Sequence, residues 1–142
     1  MKRILIAALA VLLLTGCGRQ INRELAPDPI AFRLEEYSNP ADPKDGYMAF
    51  RYQGRRYIPF GTLKNRVTGE DVGACLGYLV QDGKPMEDVR LFPLTADPEN
   101  NFLMCMTEGF MDQPTFYRAE DTKGKLTEIP PMIEDLGYDF WK

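Results

Sequence analysis

The chain has 142 residues, with 17 Lys and Arg against 21 Asp and Glu, three cysteines and no histidine. A formal charge of −4 argues against nucleic acid, which rewards clustered positive charge. Without histidine, and with Ser38 as the sole serine, neither a Ser-His-Asp triad nor a Cys-His pair can form. A His/Cys zinc site likewise lacks its ligands.

The first segment reads MKRILIAALAVLLLTGC. Lys2 and Arg3 form a positive start, and Ile4 to Leu14 is an unbroken apolar run. That run is shorter than the about 20 residues a membrane-spanning helix needs. A charged start, a short apolar core and small residues at its end make a secretory signal over residues 1–16. Leu14-Thr15-Gly16-Cys17 resembles the lipobox of bacterial lipoproteins. The resemblance covers residues 1–17 only. It implies that Cys17 receives a diacylglyceryl group, with palmitate-type chains, and becomes the mature N-terminus. One acyl chain holds a protein only marginally, whereas two or three anchor it firmly. The implied partner is therefore a membrane, and the implied place is the cell envelope. Gly18 rather than Asp follows the lipidation position. In a two-membrane envelope this resembles outer-membrane cargo; in a one-membrane envelope the protein lies on the outer face of the cytoplasmic membrane.

Without Lys2 and Arg3 the balance is 15 basic against 21 acidic residues, a net charge of −6. With Cys17 assigned to lipid, Cys75 and Cys105 remain. An exported compartment permits a disulfide between them, which would stabilise by roughly 3–4 kcal/mol in the chain-entropy model. The alternative is two buried free thiols.

Residues 17–45 read as the lipidated Cys and a tether, punctuated by Pro27, Pro29, Pro40 and Pro43. Asp28 and Pro29 could open a short helix with Ile30, Leu34 and Tyr37 on one face; an extended strand fits equally. Asp42 to Gly46 is turn chemistry and marks the start of a globular domain over 46–142. Tyr47–Gln53, Gly54 and Arg55–Phe60 then read as a β-hairpin. Pro59 restricts its second strand to an edge or an end. Gly61 to Gly73 reads as a loop. Leu76–Gln81 is a strand, and Asp82-Gly83 a hairpin turn. Val89–Leu94 alternates. In Phe102–Thr107, Phe102, Met104 and Met106 face one way and Leu103 and Cys105 the other. Apolar residues on both faces mark a central strand. Thr115–Ala119 is another strand and Thr122–Lys125 another turn. Pro130-Pro131 opens a short helix over Met132–Leu136, followed by Tyr138, Phe140 and Trp141, which should cover the sheet. The expectation is a mainly β, small antiparallel barrel or sandwich, with a helical or extended lead-in and a short C-terminal helix.

The remaining chemistry is sparse. Gly77 to Gly83-Lys84 superficially resembles a phosphate loop, but its spacing is too long and Pro85 replaces the magnesium-binding hydroxyl. Asp97-Pro98-Glu99-Asn100-Asn101 offers oxygens without the spacing of a calcium loop. Met104, Met106 and Met111 near Cys105 suggest soft-metal ligands, but core packing accounts for them. No metal or cofactor is therefore expected. The acidic pairs Glu70-Asp71, Glu87-Asp88, Glu120-Asp121 and Glu134-Asp135 are adjacent in sequence, and neighbours on a strand face opposite ways, so no pair is itself a dyad.

The most suggestive patch is the first hairpin. Arg51, Arg55, Arg56, Lys64 and Arg66 lie in a stretch with no acid from Met48 to Gly69, interleaved with Tyr47, Tyr52 and Tyr57. Tyr and Arg dominate interface hot spots, and Arg pairs bidentately with phosphate or carboxylate. The leading expectation is a lipid-tethered binding or adaptor module, not an enzyme, contacting an envelope protein or an anionic polymer through this hairpin. The alternatives are an inhibitor or immunity-type protein against a cell-wall lytic enzyme and, less favoured, a small glycan hydrolase using carboxylates among Glu87, Asp88, Asp97 and Glu99.

Overall fold

The structure is a computed structural model and describes residues 18–108 and 113–142. The signal segment, Cys17 and Met111 lie outside the described residues. Half of the described residues are in strands and 5% are helical, so the fold is mainly β. Among the described residues there are nine strands: β1 (Ile30–Arg33), β2 (Glu35–Asn39), β3 (Asp42–Tyr52), β4 (Arg55–Leu63), β5 (Gly77–Gln81), β6 (Lys84–Pro93), β7 (Phe102–Thr107), β8 (Thr115–Ala119) and β9 (Ile133–Asp135). Single 3-10 turns follow at Glu120–Thr122 and Asp139–Trp141.

The strand order is β1-β5-β6-β7-β8-β4-β3-β2, with β9 added to β4. This is a nearly closed eight-stranded barrel, not a sandwich. Local chemistry sets most of it. Gln53-Gly54 and Asp82-Gly83 both take positive φ (51° and 75°; 52° and 74°). Two consecutive left-handed residues are the tight hairpin turn whose twist matches the strands. They join β3 to β4 and β5 to β6. Side chains complete the closure between β1 and β3: the Phe32 ring meets Phe50 at 5.4 Å and Tyr52 at 5.7 Å.

Alternation splits β4, β6, β7 and β8 between two cores. One cluster draws Phe32, Phe50, Tyr57, Leu91, Leu103 and Cys105 from strands all round the sheet; it is the barrel interior. A second gathers Phe60, Phe92, Phe102, Met104, Phe116 and Ile133 on the outside. Ile21, Leu25, Val67 and Trp141 pack over it. The central strand β7 shows the division expected of it: Leu103 and Cys105 face in, and Phe102, Met104 and Met106 face out. The terminal aromatics behave as expected too. Phe140 packs on Ala49 and Ile58, and Trp141 Nε1 donates to the Pro59 carbonyl at 2.8 Å.

Several expectations are corrected. Of the two readings open for the lead-in the extended one holds, and residues read as tether supply β1 and β2. β1 pairs with β5 in parallel, Ile30 opposite Gly77, so the sheet is not wholly antiparallel. The turn residues 42–46 sit inside β3, where the β2 register slips between Ser38 and Asn39. Pro59 lies in an interior strand. It falls at a register shift, between the part of β4 paired with β3 and the part paired with β9, where the ladder does not need its missing N–H. Residues 132–136 form no helix: Ile133–Asp135 is β9, opposite Gly61–Leu63. Met132 and Ile133 are buried, and packing overrides the weak local preference of so short a segment.

Cys75 and Cys105 are free and buried, not joined. Cys105 faces the barrel interior and Cys75 the outer core, so the sheet stands between the two clusters they belong to.

Gly77 is where β1 can dock. A Cβ there would collide with the Ile30 carbonyl oxygen. Gly77→Ala should therefore displace β1 and destabilise the domain by about 2 kcal/mol. Urea unfolding, with amide exchange at Ala31 and Phe32, would detect it; unchanged stability and protection would show that β1 docks without this close approach.

Candidate functional site

The two faces of the first hairpin divide its charged and aromatic residues. Tyr52 and Tyr57 belong to the barrel interior, and Tyr47 to the outer face over Ala49 and Ile58. Arg51 lies opposite Arg56, and Tyr52 opposite Arg55. The six candidate residues therefore do not form one surface.

Nor are Arg55 and Arg56 available. Arg55 Nε and Nη2 grip the two Asp121 carboxylate oxygens at 2.9 and 2.8 Å. Its Nη1 donates to the carbonyls of Glu99 (2.9 Å) and Asn100 (3.0 Å), and Nη2 to Asn101 Oδ1 (2.8 Å). A guanidinium has five N–H donors, and all five are engaged. The bond to Asp121 raises the Arg55 pKa and holds the Asp121 carboxyl below its ordinary range. Arg56 pairs with Glu120 at 2.9 Å and lies over the Tyr37 ring, 4.5 Å from its centroid. Arg51 and Glu35 are 4.0 Å apart and largely exposed, an arrangement worth little. Tyr57 donates to the Asn100 carbonyl, and burial pushes its hydroxyl up to about 12. Tyr47 donates to Asp45 at 2.7 Å and accepts the Phe140 N–H. The hairpin is thus a clamp on the 99–101 loop and the 120–121 turn.

That clamp shapes an open groove of about 660 Å³. One wall is the loop from Ala96 to Asn101, and the other runs from Thr122 to Pro131, with Arg55 and Asp121 between them. Asp97 is buried and accepts the Phe102 N–H at 2.7 Å, which fixes the loop. It is therefore turned into the protein rather than toward a cation. The opposite wall is locked by Thr122, whose hydroxyl donates to the Ala119 carbonyl and accepts from Arg118 Nε, at 2.7 and 2.8 Å. On that wall stands Leu126, wholly exposed.

The groove takes Asp97 and Glu99 but neither Glu87 nor Asp88. Those two sit in β6 where its register with β5 slips, both exposed. The four carboxylates weighed for glycan cleavage therefore share no cleft. The thiols offer no ready nucleophile either: burial raises the pKa of Cys75, and that of Cys105 to about 12, so both stay protonated at neutral pH.

Sequence reasoning missed the groove, because its walls come from distant segments. The exposed Leu126 beside Lys125 was its one local sign. Sequence reasoning also missed a second hollow of about 480 Å³, bounded by Gly18, Arg19, Arg23, Arg66 and Met106. The proximity of Arg19 and Arg23 to Cys17 could have pointed to it.

Residues 1–17 match the family model of the prokaryotic membrane lipoprotein lipid attachment site. The match supports a membrane-anchored lipoprotein at the cell envelope. No curated protein and no solved structure matches the chain.

Proposed function

We propose that this membrane-anchored lipoprotein is a binding module whose barrel receives an envelope protein in the groove beside Leu126. The observation that carries the reading is Leu126 itself: a large apolar side chain, fully in water, on the rim of an open groove. Burying a Leu side chain gains about 1.5–3 kcal/mol, so Leu126 offers an apolar anchor to a protein seated in the groove. With Asp97 turned inward and Asp121 paired with Arg55, Glu99 and Glu128 still outnumber Lys125 along the lining. That balance favours a basic protein segment over an anionic polymer. The reading assigns no catalytic step to the groove.

Full-length lipidated protein should retain a partner from detergent-solubilised envelopes. Leu126→Asp should weaken binding of that purified partner at least about tenfold, with the circular dichroism spectrum unchanged. Equal binding by both proteins would refute the groove. A cell-wall lytic enzyme as the retained partner, with its activity lost when the domain is added in equal amount, would make the module an inhibitor.

A further inference from the structure

We propose that the face carrying Arg19, Arg23 and Arg66 lies on the bilayer that holds the lipid anchor and takes the phosphates of its anionic phospholipids. The proposal rests on the lipid attachment segment and is independent of the groove.

The chain leaves no slack between anchor and barrel. The attachment position precedes Gly18 by one peptide bond. Gly18 has φ +66°, and a Cβ there would lie 2.8 Å from Thr68 Cγ2. The Gly69 N–H donates to the Arg19 carbonyl at 2.6 Å, and a Cβ on Gly69 would lie 2.6 Å from the Gln20 carbonyl oxygen. Ile21 and Leu25 then enter the outer core. The first residue after the anchor is thus already pressed to the body. A flexible tether would let the domain rise into solvent; this docking brings the Arg19 face to headgroup depth.

That face has the matching charge. Three arginines and no carboxylate line its hollow, over Ile21, Val67 and Met106. Arg90 adds a fourth charge behind them. It lies opposite Met106, its Nε donates to the Arg23 carbonyl at 3.4 Å, and its Nη1 is buried without a hydrogen-bond partner. Neither Arg19 nor Arg66 joins an ion pair among the described residues. Of the acids on the adjoining loop, Asp71 is held by the backbone and hydroxyl of Thr68 at 2.7 and 3.1 Å. Glu70 lies outside the lining. An acidic domain would be repelled by an anionic surface through most of its faces; this one reverses the sign where the anchor attaches. Arginine near such a surface is attracted to it, and its fork suits phosphate.

The test uses the mature lipidated protein in vesicles of phosphatidylcholine, or of an equimolar mixture with phosphatidylglycerol. Arginine modification by phenylglyoxal is followed by peptide mass spectrometry. Arg19 and Arg66 should react about fivefold more slowly in the anionic vesicles, while Arg33 and Arg51, exposed elsewhere on the sheet, keep their rates. Equal rates in the two vesicles, slowing of all four arginines, or slowing confined to Arg19 would overturn the proposal.

Discussion

Arg55→Ala should lower the unfolding free energy by about 3 kcal/mol, and the melting temperature by roughly 10 °C. The side chain is only 24% exposed and satisfies two carbonyls, an amide oxygen and a carboxylate. Its loss leaves the Asn100 carbonyl with Tyr57 alone and the Glu99 carbonyl without Arg55, and frees Asp121. Hydrogen bonds to a charged group contribute more than neutral ones, and several are lost together. A pH signature should accompany the loss. Arg55 holds the Asp121 pKa below its unfolded value, so the pair stabilises above the ordinary carboxylate range. That contribution fades as pH falls through the depressed folded value. Asp121 is half exposed, so this part is small, under about 1 kcal/mol. In Arg55→Ala the acid-side slope should flatten. Thermal unfolding across pH would show both effects, and a variant within 0.5 kcal/mol (roughly the surface norm) would mean the clamp is ornamental. The result also bears on binding assays: reversing Arg55 would disturb the groove walls, so lost binding would not locate a contact.

The part of the fold legible in the sequence is the part whose determinants are local. Asp82-Gly83 specifies its hairpin by backbone preference alone. Phe102 to Met106 declares a central strand because consecutive apolar residues satisfy two faces. Neither cue exists for β9, whose three residues are too few to show a period. Its place depends on Gly61, where a Cβ would collide with the Glu134 carbonyl. Ile30, Leu34 and Tyr37 suit a helix or a strand, and only the free edge of β5 decides. The candidate patch failed for a related reason. A run of arginines is visible in sequence, but the carboxylates that absorb Arg55 and Arg56 lie 66 and 64 positions away. The lipid signal was legible because it is a contiguous address, whereas the docking of Gly18 on Thr68 is tertiary.

The larger loss should come from Phe102→Ala, about 4 kcal/mol. Phe102 is fully buried on the outward face of β7, its ring edge-on to Phe60 at 5.3 Å. The Arg118 guanidinium stands over Phe60, Phe102 and Trp141, at 5.2, 5.7 and 4.7 Å from their centroids. Burial lowers the Arg118 pKa, and Thr122 holds the group by Nε and Nη2. Removing the ring would leave a cavity between strands whose backbones are fixed by pairing on both sides, so collapse is limited. It would also take one aromatic wall from a half-buried cation. Denaturant unfolding measures the change; a loss below about 1 kcal/mol would mean that the outer layer relaxes freely. The expected size has a structural reason. A barrel this small encloses too little apolar area to stand on its interior alone, so a second dry layer outside β4, β6, β7 and β8 has to share the burden. That layer contains Ile21 and Leu25 from the anchor side and Met132 and Ile133 beside the groove wall. Packing around Phe102 therefore joins the membrane attachment to the proposed binding groove. Phe102→Ala should loosen both ends at once, raising amide exchange at Ile21 and at Ile133 together.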